Sequence, residues 1–180
     1  MNRLVWLAPL LLLIAFGVIA AIRLILGPGA DEPVFREQLD PRPAPAISFP
    51  PLREGAEPVI FAQNREGPVA VNLFASWCTP CIAEHPRLIE LSETEGVRLI
   101  GVLYKDSDAA GEAFLSRLGD PYETIVTDRD GSGGLDFGIT GVPETFIIDA
   151  EGRIVQHYRG PLDDADVAEL KAFFAGNQKR

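Results

Sequence analysis

The chain has 180 residues, a hydrophobic content of 47% and a formal net charge of −10 at pH 7, which favours one domain with an appendage and enough apolar material for a core. The acidic balance argues against nucleic acid and against an anionic membrane surface as partners, because both repel negative charge. Two cysteines cannot staple a domain of this size, so its stability must come from the core.

The first predicted element is an apolar helix from Leu4 to Ile22, which contains no charged residue and is long enough to span a membrane. Arg3 precedes it and Arg23 follows it, and the basic side leans to the N-terminus, which favours a C-terminal domain outside the cytoplasm. A cleaved signal peptide is the alternative, with Ala20 and Ala21 as a cleavage site, although its apolar core is usually shorter. Both interpretations export the domain.

We predict three parts: a membrane anchor over residues 1–26, a linker over residues 27–45 and a folded domain over residues 46–180. The stretch from Gly27 to about Pro51 is rich in Pro, Ala and Gly. Proline limits both helix and sheet, so this composition indicates a spacer that holds the domain off the membrane.

The folded domain alternates predicted strands and helices. In chain order, they are a short strand at Val59–Phe61, a buried strand at Val69–Ala75, a helix from Cys78 to about Gly96, a buried strand at Val97–Tyr104, a helix capped by Ser107 or Asp108, a strand at Glu123–Thr127, a helical turn at Leu135–Ile139, a hairpin of Glu144–Asp149 and Arg153–Arg159, and a last helix capped by Asp163 or Asp164. This order predicts an α/β fold with parallel and antiparallel strands in one sheet.

The run Trp77-Cys78-Thr79-Pro80-Cys81 holds both cysteines and lies where the buried strand hands over to a helix. Unpaired amides at a helix start stabilise a thiolate and lower its pKa from about 8.5 to roughly 3.5–7.5. We therefore predict Cys78 as the nucleophile and Cys81, one turn in, as the thiol that resolves the mixed disulfide. The alternatives are a structural disulfide and half of a zinc site.

This motif after a buried strand resembles the thioredoxin superfamily, and Pro86 lies where thioredoxins carry a proline that kinks the helix. The resemblance implies a thioredoxin-like fold, a central mixed sheet flanked by helices, preceded in this chain by the N-terminal transmembrane helix. It also implies that Pro143 is a cis-proline facing the cysteines. The backbone of Val142 would then pair with an extended substrate peptide, so we place Trp77, Val142 and Pro143 in the substrate-binding site.

Two glutamates are candidates for proton exchange with the resolving thiol. Thioredoxin has a buried aspartate six residues before its first cysteine, whereas this chain has Asn72, which cannot titrate. Glu84 lies about one helical turn past Cys81, and Glu144 directly follows the expected cis-proline. A buried carboxylate has a raised pKa and can exchange a proton with a thiol. The alternatives are a solvated helix residue for Glu84 and an ordinary strand-end carboxylate for Glu144.

Further runs narrow the resemblance to the CcmG/DsbE proteins: Cys81-Ile82-Ala83-Glu84-His85-Pro86, Gly101-Val102-Leu103-Tyr104-Lys105-Asp106, Asp128-Arg129-Asp130-Gly131 and Gly141 to Asp149. The resemblance covers about Pro43 to Leu162, with a departure at Leu103, where relatives often carry Asn. It implies a periplasmic reductant in cytochrome c maturation, tethered by a single pass in the inner membrane. Such a protein takes electrons from a membrane thiol donor and keeps apocytochrome c, or its thiol-handling partner, reduced for haem attachment.

Two other functions stay open at this point. One is a general tethered thiol reductase of the TlpA/ResA kind. The other is a copper or haem chaperone with Cys78 and Cys81 as soft ligands, which the lack of Met beyond Met1 disfavours. We expect no cofactor other than a redox-active Cys78–Cys81 disulfide. We also expect no metal, because His85 with the two cysteines lacks a fourth ligand, and we interpret His157 as structural.

Overall fold

The structure is a computed structural model that describes residues 12–13, 15–18, 35–37 and 41–177. The chain divides into two compact units, Met1–Pro33 and Val34–Arg180. In the first unit, residues 12–13 and 15–18 are helical. Most of the predicted anchor lies outside the described residues, and no helix among those described has the length and apolar character needed to cross a membrane.

Within residues 35–37 and 41–177, one seven-stranded mixed sheet forms the centre of the second unit. Its strands are β1 (Phe35–Glu37), β2 (Arg42–Pro43), β3 (Val69–Phe74), β4 (Leu99–Tyr104), β5 (Thr124–Asp128), β6 (Glu144–Ile148) and β7 (Arg153–Arg159). The strand order is β1-β7-β6-β3-β4-β5, and β2 also pairs with β7. β3, β4 and β5 run parallel, whereas β6 is antiparallel to both β3 and β7. The predicted mixed sheet is confirmed.

Helices cover both faces of the sheet: α1 (Thr79–Ser92), α2 (Asp108–Leu118), α3 (Ser132–Phe137) and α4 (Asp164–Asn177). One face carries α1, α2 and α4, whose Leu88, Phe114 and Leu170 share a core cluster. The other carries α3 and a 3₁₀ turn at Phe61–Gln63, through Phe137 and Phe61. Because both faces are covered, every residue of β3 is buried, as its apolar sequence predicts.

The predicted strand at Val59–Phe61 is wrong. Val59 forms only an isolated bridge with Phe49, and Phe61 begins the 3₁₀ turn. The ring of Phe61 packs edge-on against Phe49, with ring centroids 5.1 Å apart, and against Phe137 at 5.4 Å. This aromatic packing overrides the strand preference of the apolar run.

The fold also begins earlier in the chain than residue 46. β1 and β2 lie within the stretch that the sequence assigns to a linker, and both pair with β7. The prolines that favoured a linker are compatible with this position, because an edge strand does not need every backbone N–H for the ladder. The compact unit therefore starts at Val34.

The turn between β6 and β7 depends on a glycine that no larger residue can replace without cost. Gly152 has a φ of +74°, and a Cβ there would lie 2.4 Å from the backbone oxygen of Ala62. Gly55 has a similar φ of +85° but open space around it. We expect Gly55→Ala to lower the free energy of unfolding by about 1 kcal/mol, through its backbone conformation alone. Gly152→Ala should lower it by about 3 kcal/mol, because the collision adds to that cost.

Urea unfolding of the two variants beside the wild type measures the difference. Equal losses for Gly152→Ala and Gly55→Ala would show that the Ala62 backbone yields freely, contrary to this packing.

Candidate active site

Cys78 and Cys81 are joined by a disulfide at the start of α1, with their Cα atoms 5.3 Å apart. Cys78 is the N-cap residue: its backbone is extended, and its Sγ accepts the Cys81 backbone N–H at 3.1 Å. Pro80 lies in the first turn, where a missing N–H removes no helical bond. Only 3% of Cys78 and 1% of Cys81 is exposed, so a partner must come into close contact to reach the sulfurs.

The loop before β6 faces this disulfide. The Val142–Pro143 peptide bond is cis, as the resemblance implied. The backbone oxygen of Val142 lies 3.4 Å from Cys78 Sγ. On the far side of the proline, the Pro143 oxygen accepts the Gly160 N–H at 3.0 Å, which ties this loop to the end of β7.

The loop after β4 holds the two residues that precede Cys78, Ser76 and Trp77. The Asp106 carboxylate accepts the Ser76 N–H at 2.7 Å, and the Trp77 indole donates to the Lys105 backbone oxygen at 3.2 Å. Lys105 has a φ of +46°, which is uncommon outside glycine. Trp77 nevertheless leaves 59% of its surface exposed, so an apolar ring lies open to a partner one residue before the disulfide.

Glu84 lies one turn after Cys81 and is fully buried. Its Oε1 accepts the Asn72 side-chain amide at 3.0 Å, and its Oε2 accepts the Leu162 backbone N–H at 3.0 Å. Asn72 also donates to the Thr145 hydroxyl and accepts the Tyr122 hydroxyl hydrogen. Asn72 therefore helps to hold the buried Glu84 carboxylate in position.

Burial raises the pKa of Glu84 from 4.5 to about 7, against the opposing effects of the Leu162 and Asn72 hydrogen bonds and of the Arg87 charge. A group with this pKa can both hold and release a proton near neutral pH. The interpretation of Glu84 as a solvated helix residue is therefore wrong, and the expectation of a buried carboxylate with a raised pKa is confirmed.

Glu144 differs from Glu84 in both position and pKa. Successive side chains of β6 point to opposite faces of the sheet. Glu144 therefore lies on the same face as Phe146, which is the face opposite to the one that α1 covers. Burial would raise the pKa of Glu144, but hydrogen bonds from His157 and Thr140 outweigh it and hold the pKa below its ordinary value. The expectation of a raised pKa is wrong for Glu144, because buried donors surround its carboxylate.

His85 is engaged in packing between helices. Its Nε2 contacts the Gly119 backbone oxygen at 2.9 Å, and its ring meets Phe114 edge-on with centroids 5.1 Å apart. Burial lowers the pKa of His85, which favours the neutral ring. Among the described residues, no group of three or more His, Cys, Asp and Glu side chains could hold a metal ion.

The family model described as Redoxin matches residues 40–173. The thiol:disulfide interchange protein HelX of Rhodobacter capsulatus is 42% identical over 136 residues, covering 74% of this chain and 76% of its own length. DsbE of Allochromatium vinosum, another thiol:disulfide interchange protein, is 40% identical over 162 residues and 84% of each chain. The chain belongs to the DsbE family of thiol:disulfide interchange proteins. Membership of this family, together with the Cys78–Cys81 pair, makes it a dithiol–disulfide oxidoreductase.

A solved structure agrees on the fold. The crystal structure of a thiol:disulfide interchange protein of the thioredoxin family from Chlorobium tepidum is 27% identical and superposes with a TM-score of 0.59. The superposition covers 76% of this chain and 98% of that protein. The predicted thioredoxin-like fold of this DsbE-family protein is confirmed.

Sequence reasoning missed several residues of the site. Tyr122 and Thr140 contact Asn72 and Glu144 only through the fold, and nothing in their local sequence marks them. Asp106 belongs to a run that carries the resemblance, but its bond to Ser76 also depends on the fold. His157, which the sequence indicates to be structural, lies against Glu144. The register of the β6–β7 hairpin places Phe146 opposite His157, and Glu144 is two residues before Phe146 on the same face. A correct prediction of this register would have indicated the Glu144–His157 contact.

Burial of Glu84 makes the stability of the fold depend on pH. Its folded pKa of about 7 exceeds the ordinary 4.5, so the folded protein keeps a proton that the unfolded chain releases. The resulting stability is complete below about pH 4.5 and is lost as the pH rises through about 7. Glu84→Gln has no carboxyl group to titrate, so it should not lose this stability. As the pH rises through this window, its free energy of unfolding should increase relative to that of the wild type by roughly 3 kcal/mol.

Urea unfolding of the oxidised protein at several pH values measures this gain. Glu90→Gln, the same change on the exposed side of α1, is the matched control and should run parallel to the wild type. A Glu84→Gln curve that also runs parallel would contradict the assignment.

Proposed function

We propose that this protein is a membrane-anchored periplasmic thiol–disulfide oxidoreductase that acts as a specific reductant in cytochrome c maturation. Its client would be apocytochrome c or the protein that handles apocytochrome thiols, and a membrane thiol donor would supply the electrons. The anchor would be residues 1–26, with the C-terminal domain in the periplasm. The resemblance of the motifs to the CcmG/DsbE proteins supports the pathway, and family membership supports the reaction class.

The observation that supports the chemistry most is the position of Cys78 between the first amides of α1 and the Val142 loop. In the reduced protein, the Cys78 thiolate would attack a client disulfide. That bond breaks, a mixed disulfide forms, and the departing client sulfur takes up a proton. Because Cys78 is 3% exposed, the client would lie directly on Trp77 and Val142.

Cys81 completes the exchange. It would give up its proton and attack Cys78, so that the Cys78–Cys81 disulfide forms and the client leaves as a dithiol. Two electrons thereby pass to the client, and the membrane donor would restore the reduced pair. Glu84 is the proton acceptor that we propose for Cys81, since it lies one turn further along α1 with a pKa of about 7.

The contacts around Val142 support the mode of client binding. With the Pro143 bond cis and the Val142 oxygen beside Cys78 Sγ, an extended segment of the client could add to the loop as a strand does to a sheet edge. Trp77 would supply apolar contact area next to the client cysteines.

Trapping of mixed disulfides tests this function. Cys81→Ser keeps the nucleophile but cannot resolve the mixed disulfide, so it should accumulate a covalent complex in membranes of cells that express the full chain. Cys78→Ser, the matched change at the other sulfur, should accumulate none. Non-reducing electrophoresis followed by mass spectrometry identifies the partner.

Equal capture by both variants, or by neither, would contradict the roles of the two cysteines. Capture of a partner that is neither the membrane thiol donor nor a protein that handles cytochrome thiols or haem would refute the pathway and leave the reaction class intact.

A further inference from the structure

The loop before β6 is closed by one carboxylate. Oε1 of Glu144 accepts the Thr140 backbone N–H at 2.7 Å, the Thr140 hydroxyl at 2.8 Å and the Gly141 N–H at 3.2 Å. These bonds join the first residues of the loop to the first residue of β6. Val142 and Pro143 lie between the two joined ends, so the shape of the segment that faces Cys78 depends on this closure.

The second oxygen of the same carboxylate is held from the neighbouring strand. His157 Nε2 lies 2.6 Å from Glu144 Oε2, and their side chains are only 1% and 2% exposed. The imidazole stacks on Phe146, with ring centroids 4.0 Å apart and planes at 17°. His157 is thus fixed by packing as well as by its hydrogen bond, and it fixes Glu144 in turn.

The sheet separates this pair from Glu84, the buried carboxylate of α1. Glu144 pairs with Leu73 and Thr145 pairs with Asn72 in the register of β3 and β6. Since neighbouring residues of a strand point to opposite faces, Glu144 lies with the Leu73 core, whereas Glu84 and Asn72 lie on the face of α1. Both oxygens of Glu144 are also already occupied by donors.

We propose that Glu144 and His157 are positioning residues that hold the loop from Thr140 to Pro143 in the shape that presents the Val142 backbone to a peptide substrate. The inference rests on the proposed binding of a client at Val142. It assigns peptide recognition, rather than proton transfer, to the glutamate that follows the cis-proline. Exchange with a peptide disulfide should need this pair, whereas reduction of Cys78–Cys81 by a small dithiol should not.

Thr140 offers a test that spares the fold, because its side chain is exposed. Thr140→Val removes the hydroxyl that donates to Glu144 and keeps the branched shape, whereas Thr140→Ser keeps the hydroxyl. His157→Phe keeps the ring on Phe146 and removes the donor to Glu144 Oε2. Glu151→Gln, in the exposed turn at the other end of the β6–β7 hairpin, is the control.

Each variant of the full chain is assayed in two reactions. The first is reduction of a synthetic peptide with one intramolecular disulfide. Dithiothreitol returns Cys78–Cys81 to the dithiol after each turnover, and the rate without protein is subtracted, which gives kcat and KM. The second is reduction of the Cys78–Cys81 disulfide by dithiothreitol, which becomes a cyclic disulfide as the protein becomes a dithiol. We expect His157→Phe to raise the peptide KM about tenfold, as for loss of a buried hydrogen bond to a charged group, and Thr140→Val to raise it several-fold.

The kcat, the dithiothreitol rate and the Thr140→Ser and Glu151→Gln variants should all stay at the wild-type level. An unchanged peptide KM in both His157→Phe and Thr140→Val would overturn the inference. Equal slowing of both reactions would overturn it too, since that result indicates a general disturbance or a role in proton transfer. A wild-type protein that does not reduce the peptide would instead refute the proposed binding of clients at Val142, and this inference with it.

Discussion

The capping of α1 by a sulfur atom is the interaction on which the rest of the site depends. Cys78 Sγ accepts the Cys81 amide hydrogen, so the same residue begins the helix and carries the chemistry. The chain reaches this helix start from the end of β3, and Asp106 fixes the turn between β3 and α1 by accepting the Ser76 N–H. The Val142 loop then closes the other side of the sulfur. A thiolate formed there meets helix-start amides that are already oriented toward it.

Two buried glutamates lie on opposite sides of the sheet. Glu84, on the side of α1, has few donors for a group so deeply buried, and its pKa rises to about 7. Glu144, on the other side, is surrounded by donors, which hold its pKa low and its carboxylate in place. Two identical side chains thus acquire different properties from their surroundings: the first suits exchange of a proton and the second suits the shaping of a loop.

The sequence predicted those features that neighbouring residues encode. The position of Trp77 to Cys81 between a buried strand and a helix follows from the residues themselves. The cis bond before Pro143 follows from the resemblance to thioredoxins. The spacing of Glu84 along the helix allows both a buried and a solvated side chain, and the fold decides for burial. Contacts between distant segments cannot be predicted in this way. The Tyr122–Asn72 bond joins residues far apart in the chain, and the His157–Glu144 bond joins two different strands. The apolar run Val59–Phe61 predicts a strand, but its structure is set by the packing of Phe61 on Phe49 and Phe137, which are distant in sequence.

The most direct test of this account is a pH titration of thiolate absorbance in the reduced full-length protein, with Cys78→Ala measured beside it. If the amides at the start of α1 stabilise the Cys78 anion, one thiol ionises below about pH 7.5, and this step disappears in Cys78→Ala. If both thiols of the wild type ionise only above about pH 8.5, the helix start gives Cys78 no advantage and the account is contradicted.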